Sequence, residues 1–147
     1  MLNPDYAEIL SLFREHEVDY LLVGAYALAI HGFPRATADI DLFVRPAPDN
    51  AEKVVRALSV FGAPLQGTSV DDFSVPGIVL QIGVAPRRID ILTTIDGLTY
   101  EEASRDRVWV EIGELSVPVI SKANLIRNKR STGRKRDLLD ADALENT

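Results

Sequence analysis

Apolar and polar positions alternate along this chain in two rhythms. Asn3-Pro4-Asp5 has the chemistry of a helix start: a capping side chain, a proline in the first turn and an acid near the positive dipole end. Tyr6, Ile9, Leu10 and Phe13 then recur at helical spacing, predicting a helix that fades near Glu17. The run Val18–Val23 (VDYLLV) predicts a short buried strand ending at Gly24. Ala25–His31 is alanine-rich and predicts a helix, which Gly32 terminates and Pro34 keeps from resuming. Asp39–Val44 (DIDLFV) alternates and then turns wholly apolar, as expected of a strand with one end at a site and the other in the core. Pro46 and Pro48 end it. Asp49–Phe61 is amphipathic, with Val54, Val55, Leu58 and Phe61 on one side of a helix.

The second half is read the same way. Residues 62–77 predict a loop with one short strand. Ile78–Val84 and Arg88–Leu92 read as strands flanking Ala85-Pro86-Arg87, a hairpin. Thr99–Arg105 predicts a short helix, and Val108–Ile112 with Leu115–Val119 a hairpin around Gly113. Ser121 caps a helix to about Arg130, Thr132-Gly133 breaks it, and Arg134–Leu144 predicts the last helix. No repeat, linker or low-complexity tract interrupts the pattern. The expected fold class is α+β: one mixed sheet flanked by helices, in a single domain over residues 1–147.

Composition narrows the chemistry. Apolar residues are 46% of the chain, enough for a real core, and charged residues 26%. The absence of cysteine excludes disulfides, thiolate catalysis and cysteine zinc sites. With only His16 and His31, a bound metal must be held by oxygen, which favours Mg²⁺, Mn²⁺ or Ca²⁺ over zinc. The longest apolar run, Tyr20–Ile30, is shorter than the ~20 residues of a membrane span and lacks a basic flank. The expected location is the cytoplasm, with no membrane partner. The net charge of −6 argues against indiscriminate nucleic-acid binding. The balance is uneven, however: −9 over residues 1–121 and +3 over residues 122–147, so a polyanion could be met at the tail alone.

The candidate chemistry lies in carboxylates. Asp39 and Asp41 are two apart in a predicted strand, so both project from one face. Their mutual repulsion raises their pKa values, and a fold tolerates it when a cation sits between them. Asp90 stands inside a second strand-like run, Arg-Ile-Asp-Ile-Leu. If the two strands are neighbours, three carboxylates converge, able to hold two Mg²⁺ about 3.5–4 Å apart around a phosphoryl group. The bland alternative is that these acids are solvated or paired with Arg35, Arg87 or Arg88. The Val23-Gly24-Ala25 turn joins a strand to a helix, where backbone N–H groups can face phosphate.

These pieces together resemble the nucleotidyltransferase superfamily of DNA polymerase beta-like fold. Its hallmark is glycine followed by serine or glycine, a spacer, then Asp-hydrophobic-Asp/Glu, with a third acid on a later strand. Val23–Val44 (VGAYALAIHGFPRATADIDLFV) is most similar to small bacterial nucleotidyltransferases related to AbiEii-type toxins, and Lys122–Leu144 resembles that group's closing pair of helices. The resemblance implies that Asp39 and Asp41 bind both Mg²⁺ ions (Mn²⁺ being an alternative) and that Asp90 completes the site and helps activate the attacking hydroxyl. Gly24 and Ala25 would cradle the phosphates of an NTP such as ATP. Arg35 and Thr37 would contact phosphate or brace the strand. The acceptor would be a hydroxyl of tRNA, of a protein or of a small molecule. Position 25 departs from the pattern, being alanine where many members carry serine; the hydroxyl contact is lost and the backbone N–H remains.

Two other readings use the same residues. One is a non-catalytic nucleotide- or partner-binding protein, as in one half of a toxin–antitoxin pair. The other is a two-metal phosphodiesterase, which the Gly-Ala turn at this spacing disfavours. In the basic cluster Arg127, Lys129, Arg130, Arg134, Lys135 and Arg136, Lys129 is the leading candidate for a phosphate contact. His31 is expected to cap or pack, and Trp109 to pack the core.

Overall fold

The computed structural model describes residues 2–34, 37 and 39–147. Helix α1 (Pro4–Glu15) starts as its sequence dictates: the Asn3 side chain accepts the Tyr6 N–H at 3.0 Å, with Pro4 in the first turn. It buries Tyr6, Ile9, Leu10, Leu12 and Phe13 on one face. Strand β1 (Tyr20–Val23) is buried throughout and runs directly into α2 (Gly24–Ile30). Strand β2 (Asp39–Val44) follows, then α3 (Pro48–Phe61), closed by Gly62 in the left-handed conformation.

The segment 62–77 departs from expectation. It holds no strand among the described residues; it forms one turn of helix, α4 (Val70–Phe73). The cause is local. Ser69 and Asp72 make a reciprocal capping box, and Phe73 is wholly buried beneath them. A single hydrophobic anchor and a cap suffice for one turn, where no apolar alternation exists to sustain a strand.

Strands β3 (Val79–Ile82) and β4 (Arg88–Leu92) form the expected antiparallel pair, followed by α5 (Tyr100–Arg105) and the hairpin β5 (Val108–Ile112) and β6 (Leu115–Val119). Helices α6 (Lys122–Thr132) and α7 (Lys135–Glu145) close the chain, separated by a left-handed Gly133. The six strands form one mixed sheet in the order β3-β4-β2-β1-β6-β5. Strands β2 and β4 are parallel neighbours, as are β1 and β6, while β1 and β2 are antiparallel. The core is continuous, from α1 and α3 across the central strands to Leu125 of α6 and Leu144 of α7. No described helix is long and apolar enough to cross a membrane.

Trp109 does not join this core, contrary to expectation. Its strand is an edge of the sheet and no helix covers its outer face, so the indole is 59% exposed beneath the Arg107 guanidinium. His31 behaves as expected, its Nε2–H donating to the Ile120 carbonyl at 2.8 Å and tying the end of α2 to β6.

Asn50 ties the far end of the sheet. Fully buried, it accepts the Asp19 N–H at 2.8 Å and donates to the carbonyls of Asp19 and Arg45 at 2.9 and 3.0 Å. Replacing it with alanine leaves the Asp19 N–H without a partner and removes one of the two bonds that each of the Asp19 and Arg45 carbonyls accepts. The expected loss is about 2–3 kcal/mol of stability, read from urea unfolding, with no change in metal response.

Candidate active site

Register brings the acids together. Along the parallel pair β2–β4, Asp41 lies opposite Asp90 and Asp39 opposite Arg88. Side chains in register on neighbouring strands share a face, so the carboxylates of Asp39, Asp41 and Asp90 meet. Each offers an oxygen within 4.8 Å of the other two. The convergence expected from the sequence is therefore present.

The electrostatics are those of a site short of positive charge. Burial, then Asp39, then Asp90 push the Asp41 carboxyl up to about 8. Asp90 is also raised, by burial first, although Arg88 opposes the shift. Among the described residues, Arg88 is the cation that meets the cluster. Its Nε and Nη2 donate to the two oxygens of Asp90 at 3.0 and 3.1 Å, and Nη2 donates to Asp39 Oδ2 at 3.0 Å. Thus one of the arginines weighed as an ion-pair partner does pair with the acids, and it does so without separating them. Tyr6 holds that strand from beneath, its hydroxyl donating to the Arg88 carbonyl at 2.9 Å. The Arg88 pairing was among the alternatives that the sequence left open, whereas the role of Tyr6 was not read from it. The signal for Arg88 was there: it stands two before Asp90 and so on the same face of β4.

Hard carboxylate oxygens in this number and spacing fit Mg²⁺ or Mn²⁺. The raised Asp41 supplies the physical test, since among the described residues one guanidinium faces three acids, which leaves two negative charges uncompensated, and a divalent ion would relieve them.

The cluster opens into a cleft of about 760 Å³, large enough for a nucleotide. Gly24 and Ala25 form one wall. Because β1 runs antiparallel to β2 with Val23 opposite Asp41, the start of α2 lies against the Asp41 side chain. A Cβ on Gly24 would stand 2.1 Å from Asp41 Oδ2, and the residue has φ +70°. Only glycine fits there. Thr37 also lines the cleft and braces Asp39, its hydroxyl 3.0 Å from Asp39 Oδ1. Arg35 lies outside the described residues.

The opposite wall comes from α6 and α7. Lys129 lines it and is buried, with its ammonium 3.1 Å from Asp140 and 3.4 Å from Asp137. Burial works to raise the Asp137 carboxyl, but Thr132, Arg134 and Lys129 outweigh it and hold it below the usual range. The acids that meet Lys129 were not picked out from the sequence, since contact across a helical hairpin has no local signature. The rest of the basic cluster is also largely paired: Arg127 with Glu102, Arg130 with Asp142 and Glu145, Arg134 with Asp137. Apart from Glu102, the acids of these pairs are already counted in the tail's balance of +3, so the tail stays cationic, and Arg136 also lines the cleft.

No family model matches the chain, and no curated protein matches it in sequence. Solved structures do match its fold. TM1012 from Thermotoga maritima, a provisionally assigned nucleotidyltransferase, aligns with a TM-score of 0.65 at 16% identity over 99% of this chain and 94% of that one. The lincosamide adenylyltransferase LnuA, solved with lincomycin bound, aligns at 0.59 and 17% identity over 99% and 97%. ANT(2")-Ia, solved with adenylyl-2"-tobramycin, aligns at 0.51 and 13% identity over 96% and 95%. The six-stranded mixed sheet, its flanking helices and the closing helical pair are thus those of the nucleotidyltransferase fold.

Proposed function

We propose that this protein is a Mg²⁺-dependent nucleotidyltransferase that moves a nucleoside monophosphate from an NTP to a hydroxyl acceptor. The observation that carries the reading is the meeting of Asp39, Asp41 and Asp90 within 4.8 Å at the head of a nucleotide-sized cleft. Asp39 and Asp41 hold the metal, with Asp90 completing the site. Bound there, two divalent ions would neutralise the triphosphate and the charge that develops as it is cleaved. The acceptor oxygen bonds to the α-phosphorus as the bond to the bridging oxygen breaks, and pyrophosphate leaves. Asp90 takes the hydroxyl proton; burial makes it a stronger base than a solvated carboxylate. Gly24 and Ala25 bring backbone N–H groups to the phosphates, Thr37 keeps Asp39 oriented, and Lys129 and Arg35 are assigned to the outer phosphates.

The acceptor assigned is a small molecule. LnuA and ANT(2")-Ia were solved with small hydroxylated compounds. Here the net charge of −6 gives little general support for a polyanionic acceptor such as tRNA. The narrower kinship to AbiEii-type proteins rests on the segment Val23–Val44. A cytoplasmic setting, where NTPs are made, suits the reaction.

Ala25 favours one second reading, a nucleotide-binding member of the fold without transferase activity, acting through a protein partner as in a toxin–antitoxin pair. One experiment separates the two. Protein, Mg²⁺, each α-labelled NTP and a metabolite extract are incubated with wild type and Asp39→Ala. The transferase reading expects a labelled adduct and pyrophosphate from wild type alone. Thermal stabilisation by Mg·NTP without any adduct supports the binding protein and overturns the transferase.

A further inference from the structure

A second cavity lies at the other end of the sheet. It measures about 430 Å³, within the range of small-molecule sites, and shares no lining residue with the cleft. Strand β1 separates the two: Val23 stands beside Asp41, whereas Tyr20, at the opposite end, pairs with Val44 and lines this cavity.

The cavity is polar in an unusual way. Tyr20 and Tyr100 line it, 6% and 9% exposed, and neither hydroxyl has a hydrogen-bond partner among the described residues. Among the described residues every fully enclosed side-chain polar atom is partnered, so these two hydroxyls border open space. Burial raises both phenols far above the physiological range, so both remain donors. Both hydroxyls therefore offer donors to an acceptor seated in the cavity, among mostly buried surroundings that favour such a bond.

The rim adds charge and an aromatic surface. Arg14 and Arg107 have no carboxylate partner among the described residues, and Arg107 lies 5.6 Å from the centre of the exposed Trp109 ring. The third guanidinium, Arg45, is engaged by Asp19 and Asp49, which leaves Glu17 as the rim's unpaired acid. Donors and positive charge therefore predominate, beside apolar side chains of Val18, Trp109 and Pro118.

We propose that this cavity binds a small aromatic carboxylate. A planar ring lies against Trp109 and Pro118, an oxygen at its inner end accepts from the Tyr20 and Tyr100 hydroxyls, and its carboxylate meets Arg14 and Arg107. The site does not depend on the transferase reading, because it shares no residue with the acidic cluster.

Trp109 is the chain's one tryptophan and stands at the rim, so it reports occupancy directly. The probe is 7-methoxycoumarin-3-carboxylate, which accepts energy from indole and carries oxygen acceptors opposite its carboxylate. Titrated into the whole protein, it is expected to give saturable energy transfer from Trp109. The double variant Tyr20→Phe/Tyr100→Phe, which keeps ring volume, should weaken binding at least about fivefold. Arg14→Gln, a surface change that leaves the fold in place, should also weaken it, and 7-methoxycoumarin without the carboxylate should bind less well than the acid. Asp39→Ala should leave the titration unchanged. The proposal is overturned by an absence of saturable transfer, or by equal affinity in the tyrosine and arginine variants. Displacement of the probe by Mg·ATP overturns it as well, since the probe would then lie in the cleft.

Discussion

Replacing Asp41 with asparagine is expected to do two opposite things: abolish nucleotidyl transfer and stabilise the metal-free protein at alkaline pH. Both follow from the same charge. Asp41 is held up to about 8 by burial and by its two acidic neighbours, against an ordinary value of 3.8. An acid whose pKa is raised by folding adds stability only while protonated. Its contribution is complete below about pH 4 and is lost as the pH rises through about 8. Each tenfold change in proton affinity on folding is worth about 1.4 kcal/mol, which sets a ceiling of about 6 kcal/mol across that window; solvent in the cleft that Asp41 lines screens this to on the order of 3–5 kcal/mol for metal-free wild type. The asparagine variant carries no such charge. Above pH 8 its melting temperature should exceed that of metal-free wild type by about 6–12 °C, while near pH 4 the advantage disappears. Saturating Mg²⁺ should close the gap from the other side, raising the wild type at pH 8 and leaving the variant nearly unmoved. Transfer should fall by at least about a thousandfold, as when a principal source of electrostatic stabilisation is removed. Full activity in the variant would refute the metal role. Equal melting temperatures of the two metal-free proteins at pH 8 would refute the charge argument.

Gly24→Ala is expected to damage the same site through the backbone. The new Cβ would stand 2.1 Å from Asp41 Oδ2. Asp41 has no easy retreat, because Asp39 and Asp90 repel it from the other side. The residue also has φ +70°, which a side chain tolerates only with strain. Together these should cost about 2–4 kcal/mol and lower the melting temperature by about 6–12 °C, with activity reduced as severely as by loss of Asp41. A double-variant cycle with Asp41→Ala checks the cause. If the clash is with the carboxylate, truncating Asp41 removes most of the penalty, and the two changes are non-additive by more than about 1 kcal/mol. Strict additivity would show that Gly24 is needed for its conformation alone.

Local chemistry in the sequence determined most of the elements. The Asn3-Pro4 start, the Asp39–Val44 alternation and the 88–92 run appear in the structure at the expected places because each rests on neighbours in sequence. The single turn at Val70–Phe73 was legible too, in its Ser-x-x-Asp cap, but was outweighed by the glycines and prolines around it. Spacing of two also sufficed to put Asp39 and Asp41 on one face, since the pleat of a strand allows nothing else.

Three things were decided only in three dimensions. The pairing of β2 with β4, with the one-residue precision that sets Asp41 beside Asp90, depends on which strands become neighbours. The environment of each charged group depends on it as well. Arg88 enters the acidic cluster, Lys129 meets Asp137 and Asp140, and Arg130 meets Asp142 and Glu145 across the helical hairpin. Trp109 was left outside the core because β5 became an edge. Periodicity tells which residues of an element lie together; it cannot tell which element will face them, because that is fixed by packing the whole chain at once.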